Sequence, residues 1–247
     1  RNGKTYFYRS FDPIKEFTRK WTPQQNHNLS VTGGNRTTTY NISLSYLSQK
    51  GVMKFNTDKY DRYTLHSNIT TNVTKWWRVR SNILFTRSVN DQPYRFTAGQ
   101  YDAWFYLLRW PRWYPYADYE GKPFRSAVTD IKAGNRESLT STYLRANLGT
   151  ELNPLKNMTV NFDYTFGYVN DATKRNGGRV TAYDMFATAP FSNYRDLYGS
   201  THDRVIQQSS YTLQNIFKAY ATYKFALHEK HDFKFMAGFD AETREAL

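Results

Sequence analysis

Thr39 to Gln49 reads TYNISLSYLSQ. Tyr40, Ile42, Leu44 and Tyr46 fall on one side of an extended chain. Asn41, Ser43 and Ser45 fall on the other. Side chains alternate faces only in a β-strand, so this period of two predicts a strand with one apolar and one polar face. About ten such residues, with aromatics near both ends, are long enough to cross a bilayer at a tilt.

The same alternation recurs along the chain. Tyr63, Leu65, Ile69 and Val73 share a face, as do Trp77, Val79, Ile83 and Phe85. Leu144, Ala146, Leu148 and Leu152 form a third set, and Met158, Val160, Phe162, Tyr164, Phe166 and Tyr168 a fourth. Tyr211 to Phe225 and Phe233 to Phe239 repeat it. Ser67, Ser81 and Asn215 interrupt the apolar faces. With His27 to Thr32 as an earlier strand, these signals predict about eight strands.

The connections alternate in length. Short ones fall at Gly33–Arg36, Asn72–Lys75, Asn153–Asn157 and Leu227–His231. Long ones fall at Gly51–Lys59, Asn90–Ser138 and Asn170–Gln208. A soluble sandwich has no reason to sort its loops by side. A membrane barrel does, with short turns facing the periplasm and long loops facing outward.

Composition agrees with an all-β reading and excludes others. Aromatic residues make up 18% of the 247, and mean hydropathy is -0.77. No run of about 18 apolar residues exists, so transmembrane helices are excluded, whereas alternating barrel strands are compatible with a low mean. There is no cysteine, hence no disulfide framework and no thiolate metal site. The net charge is +13, and residues 1–90 hold 15 Lys and Arg against 4 Asp and Glu. Such a balance suits nucleic acid, anionic lipid or acidic ligands. The cations alternate along strands instead of clustering with aromatics on one platform, which argues against nucleic acid.

Few residues point to chemistry. No nucleophile elbow, phosphate loop or dinucleotide fingerprint occurs, and no cofactor is expected. His228 and His231 lack a nearby third ligand, so no metal is expected either. Asn28, Asn41, Asn68 and Asn72 open Asn-x-Ser/Thr sequons on predicted strands, and read as decoration of a water-facing wall. The long segment from Gln100 to Tyr116 carries Trp104, Arg109, Trp110, Arg112, Trp113, Tyr114 and Tyr116. Aromatic faces stack on sugar rings or peptides, and arginines add polar contacts, so these seven are the candidate ligand-binding residues. The competing reading is that the loop packs on itself. A short helix over Tyr101–Trp110, stopped by Pro111, is expected there.

Four motifs occur in order: Asn26–Gly34 (NHNLSVTGG), Ser45–Gly51 (SYLSQKG), Tyr60–Tyr63 (YDRY) and Val73–Trp76 (VTKW). Together they resemble the early barrel of SusC/RagA-type TonB-dependent transporters. The resemblance covers residues 26 to about 90, and beyond that only the strand-and-loop rhythm matches. It implies an antiparallel transmembrane β-barrel segment, about eight strands of a 22-stranded barrel in the outer membrane of Bacteroidetes. It also implies a SusD-like surface lipoprotein lid, a TonB complex that supplies energy, and import of glycans or peptides without catalysis. On this reading residues 1–247 are part of one barrel domain, with the plug domain and other strands lying outside the sequence. Apolar faces such as Ile42, Leu44, Val79 and Ile83 would meet outer-membrane lipid. Polar faces such as Asn41, Arg62, Arg78 and Arg80 would meet water or the plug. The alternatives are a complete small outer-membrane barrel and a glycan-binding β-sandwich adhesin.

Overall fold

Alternating sequence becomes a single sheet. The computed structural model describes residues 12–94, 112, 118–119, 122–123, 132, 135–176, 178–179, 181–183, 194–196, 205–227 and 231–247. A short helix, α1 (Pro13–Phe17), comes first. The strands are β1 (Gln24–Gly34), β2 (Thr38–Lys50), β3 (Lys59–Asn72), β4 (Trp77–Tyr94), β5 (Asp118–Tyr119), β6 (Lys122–Pro123), β7 (Asn135–Leu155), β8 (Met158–Arg175), β9 (Thr181–Tyr183), β10 (Tyr194–Asp196), β11 (Ile206–Leu227) and β12 (His231–Ala246).

Eight of these form one sheet in the order β1-β2-β3-β4-β7-β8-β11-β12. Every neighbouring pair is antiparallel. The small pairs β5-β6 and β9-β10 belong to the long connections. Among the described residues no second layer packs on the large sheet, so it is not a sandwich. Nor do β1 and β12 pair with each other, so the eight strands do not close a small barrel.

Register aligns the alternation into rows. Leu29, Leu44, Leu65, Phe85, Leu144, Tyr168 and Leu213 are direct cross-strand partners in succession. A slip of one residue in any pair would turn its apolar set to the wrong face, so these rows hold the register. On β8 the apolar face runs from Met158 to Tyr168. That is about 33 Å of strand, or about 25 Å across a layer at a tilt of roughly 40°.

Connections sort by side. Segments 35–37, 73–76, 156–157 and 228–230 join strands at one end, and 51–58, 95–134 and 176–205 at the other. The strands outlast their alternation at the long-loop end. β4 continues to Tyr94, β7 starts at Asn135, and β8 reaches Arg175. The expected loop bounds of Asn90–Ser138 and Asn170–Gln208 were therefore too wide. Asp91, Gln92, Glu137 and Lys174 are polar on both faces there, so period two vanishes although pairing continues.

Two local irregularities have clear causes. The β7–β8 ladder shifts register between Leu152 and Leu155, which places Pro154 where no ladder hydrogen bond is needed. At the short-turn end, a Cβ on Gly33 would meet the Tyr40 hydroxyl at 2.6 Å. The glycine leaves room for the ring to lie across the neighbouring strand.

The one compact apolar cluster among the described residues lies at the long-loop end. Asp12 caps α1 by accepting from the Ile14 amide at 3.0 Å, and Pro13 suits the first turn. Phe17 and Met53 are buried there, and the Phe17 ring lies 6.2 Å from Phe55. Lys54 Nζ donates to the carbonyls of Lys15 and Glu16 at the helix end. The sheet itself has almost no core. Leu148, Phe217 and Phe239 are 56%, 51% and 68% exposed.

Candidate water-facing wall and long-loop rim

The two faces of the sheet differ in chemistry. On the polar face, Thr32, Asn41, Asn68, Asn82, Asn147 and Thr165 form one cross-strand row. Asn41 Nδ2 donates to Thr32 Oγ1 at 3.0 Å, and Asn147 Nδ2 to Thr165 Oγ1 at 2.8 Å. Asn82 donates to Asn68, and Asn68 in turn lies 3.2 Å from His66 Nε2. The sequon residues Asn28, Asn41, Asn68 and Asn72 all stand on this face, by strand parity.

Charged rows follow toward the short turns. Arg78 donates to Asn72 Oδ1 at 2.9 Å and pairs with Glu151 across the ladder at 3.4 Å. Arg80 reaches Asp163 at 3.5 Å, although β7 lies between them. The intervening residue is Gly149, where a Cβ would collide with Asp163 Oδ1. The missing side chain lets the pair span two ladders. Lys218 and Asp240 are 3.1 Å apart on the same row. The sequence placed Arg78 and Arg80 on the polar face but did not supply their acidic partners, because pairing depends on register.

One interruption of the apolar face, Asn215, is satisfied within it. Tyr164 Oη donates to Asn215 Oδ1 at 2.8 Å. Ser67 and Ser81 are small and sit between Ile42 and Ile83, and between Ile69 and Leu148.

A rim of polar contacts gathers the long-loop end. Arg136 Nε donates to Asp91 at 3.1 Å, and its other nitrogens hold the carbonyls of Asn56 and Thr57. Glu137, 7% exposed, accepts from Arg175 at 2.6 Å and from Gln92 at 2.9 Å. Lys59 lies 2.6 Å from Asp61. Burial raises the Asp61 carboxyl, but hydrogen bonds from Lys59, Ser48 and Tyr46 and the Lys59 charge outweigh that and hold it below its ordinary value. Apart from Asp61, which lies in the YDRY motif, none of these residues was singled out from sequence. The one available signal was Asp12-Pro13, a helix-start pair; the rest are scattered charges brought together by the ladder.

Of the seven candidate ligand residues, Arg112 lies at an exposed turn. Trp104, Arg109, Trp110, Trp113, Tyr114 and Tyr116 lie outside the described residues, as does the helix expected over Tyr101–Trp110.

Comparison with known proteins supports the fold. No family model matches this chain, and no curated protein does. Among solved structures, it is similar to a chain of the RagAB peptide importer in the "closed-closed" state, with TM-score 0.69 and 18% identity. That match covers 98% of this chain and 28% of the other. A chain of the RagAB peptide transporter matches with TM-score 0.69 and 19% identity over 96% of this chain and 26% of that one. The chain thus spans about a quarter of the length of these transport proteins. The sheet is a β-barrel segment of the kind they contain.

Proposed function

We propose that this chain is a wall segment of an outer-membrane importer of the SusC/RagA type. One observation carries the reading. A single sheet exposes a belt of large apolar side chains about 25 Å high on one face and a hydrogen-bonded polar lattice on the other. Burying an exposed Leu or Phe is worth roughly 1.5–3 kcal/mol, and nothing in the sheet buries this belt. A lipid layer does so, while the ladder pairs the backbone polar groups between neighbouring strands, all but those along the outer edges of β1 and β12. The apolar face then meets lipid, the polar face lines an aqueous lumen, the short turns face the periplasm and the long loops face outward.

The similar structures are peptide importers, so the substrate class proposed first is peptide, with glycan second. A SusD-like lipoprotein would cover the long-loop end, and a TonB complex would supply energy through a part of the protein beyond this chain. The Trp104–Tyr116 loop residues, with Arg109, Trp110, Arg112, Trp113 and Tyr114, are proposed to contact substrate or lid. The work is gated passage, with no bond made or broken.

The complete protein is the object to test. It should fractionate with the outer membrane and shift on a gel when heated. Uptake of a labelled peptide mixture should stop when TonB is deleted. Solubility in plain buffer would sink the membrane reading, and TonB-independent uptake would sink the energised-importer part alone. Trp110→Ala with Trp113→Ala should weaken uptake or lid assembly; no change in either removes that loop.

A further inference from the structure

The apolar face changes character at the long-loop end. His27, Tyr46 and Tyr63 are direct cross-strand neighbours, with ring centroids 6.3 Å and 4.9 Å apart in succession. Just inside them, Leu29, Leu44, Leu65 and Phe85 floor an open trough of about 550 Å3. Arg87 stands opposite Tyr63 on the same face, two positions beyond Phe85, and is exposed. Lys50 and Lys59 are paired with each other one strand-turn farther out, still on this face. Arg136 and Lys174 continue the band across β7 and β8.

Two carboxylates share this band. Asp61 is held by Lys59 at 2.6 Å and Asp91 by Arg136 at 3.1 Å. Among the described residues Lys50, Arg87 and Lys174 have no carboxylate partner, which leaves the described part of the band positive. The other end of the same face is different. From the Tyr63–Arg87 row to the short turns, the apolar face of β1 to β11 carries no charged residue along its strands. Its end is marked instead by Trp77, Phe225, Phe233 and Phe235.

We propose that this trough and the cations above it form a binding site for an anionic, phosphate-bearing lipid, with an acyl chain along Leu29, Leu44, Leu65 and Phe85 and the phosphate at Arg87. The inference rests on the membrane-wall reading above. An apolar trough suits a hydrocarbon chain, and an arginine binds phosphate through paired N–H donors. The Tyr46–Tyr63 stack stands beside Arg87 on the row that borders the trough, where amphipathic rings bridge apolar and wet surroundings. Cations at one end only make the site specific to one leaflet, the one on the long-loop side. The charge complementarity lies on the outward face, so it serves the surrounding lipid and not the solute in the lumen.

The test uses the complete protein in detergent, loaded with phosphatidylglycerol or phosphatidylcholine, and reads retained lipid by native mass spectrometry. Selective retention of phosphatidylglycerol is expected. Arg87→Gln should lower it roughly fivefold, the effect of one basic residue at an anionic lipid surface. Arg87→Lys should keep most of it, and Lys156→Gln, in a short turn, should change nothing. A heat-shift gel on each variant shows that the barrel is folded. Equal retention of both lipids, or no loss in Arg87→Gln together with Lys50→Gln, overturns the proposal. Displacement by inorganic phosphate overturns it too, because the site would then be one for a free anion. Flotation of the wild type with vesicles of either lipid separates the outcomes: a protein that floats but shows no selectivity refutes the lipid site alone, and one that does not float refutes the membrane wall.

Discussion

Residues 41 and 42 are adjacent in the chain and belong to different worlds. Asn41 donates to Thr32 within a row of amides and hydroxyls. Ile42 stands between Val31 and Ser67 with nothing polar to bond. The polar face of the sheet is knitted by side-chain hydrogen bonds and ion pairs from Asn72 to Asp240. Among the described residues the belt of the apolar face holds few such bonds: Tyr164 to Asn215, Trp77 Nε1 to Thr150 Oγ1, and the Thr38–Thr71 hydroxyl pair. The backbone ladder is common to both, so the difference comes from what each face meets. A water-facing wall tolerates any satisfied polar group, whereas the apolar wall tolerates only those that satisfy each other.

The sharpest way to break this comparison is one charge on each face. Leu148→Arg should cost about 2–4 kcal/mol of folding stability in vesicles, the penalty for a cation near the middle of a lipid-facing belt. Asn41→Arg should cost under about 1 kcal/mol, since it removes one exposed hydrogen bond. Equal costs in a denaturant titration would mean that the two faces meet the same solvent.

Next comes the pair inside the apolar belt. Asn215→Val leaves the Tyr164 hydroxyl without its acceptor and should cost about 1–3 kcal/mol, whereas adding Tyr164→Phe should recover most of it. A double-mutant cycle measures the recovery. No recovery would show that the hydroxyl finds water, and that the belt is wet at this point.

On the polar face the expected effects shrink. Gly149→Ala pushes into Asp163 and should break the Arg80 contact. The pair is substantially exposed, so the loss should stay within about 1 kcal/mol and fade at high salt. Asn82→Ala should change stability by less than about 0.5 kcal/mol, because water replaces the lost partner. Its unfolding midpoint should match the wild type within error.

The belt was legible because period two is a local signal. Each of the eight wall strands shows it, and short and long connections could be counted directly. Strand ends were not legible at the long loops. Glu137 and Arg175 are partnered and paired in the ladder, yet neither looks like strand in a pattern of alternating polarity. The Arg80–Asp163 contact was hidden for another reason. It depends on two registers and on a missing Cβ between them, none of which is local. The candidate aromatic residues of the long loop were chosen by composition, and composition does not place a side chain.

The order of the sheet follows the order of the chain without a single crossover. Each strand therefore lies next to its predecessor with the same face turned the same way. Removing the hairpin β3–β4 would bring β2 against β7, still antiparallel, with Leu44 and Leu144 already on one row. A wall built this way can be lengthened or shortened two strands at a time, and its circumference can drift through hairpin gain or loss while its inner and outer chemistry stay the same.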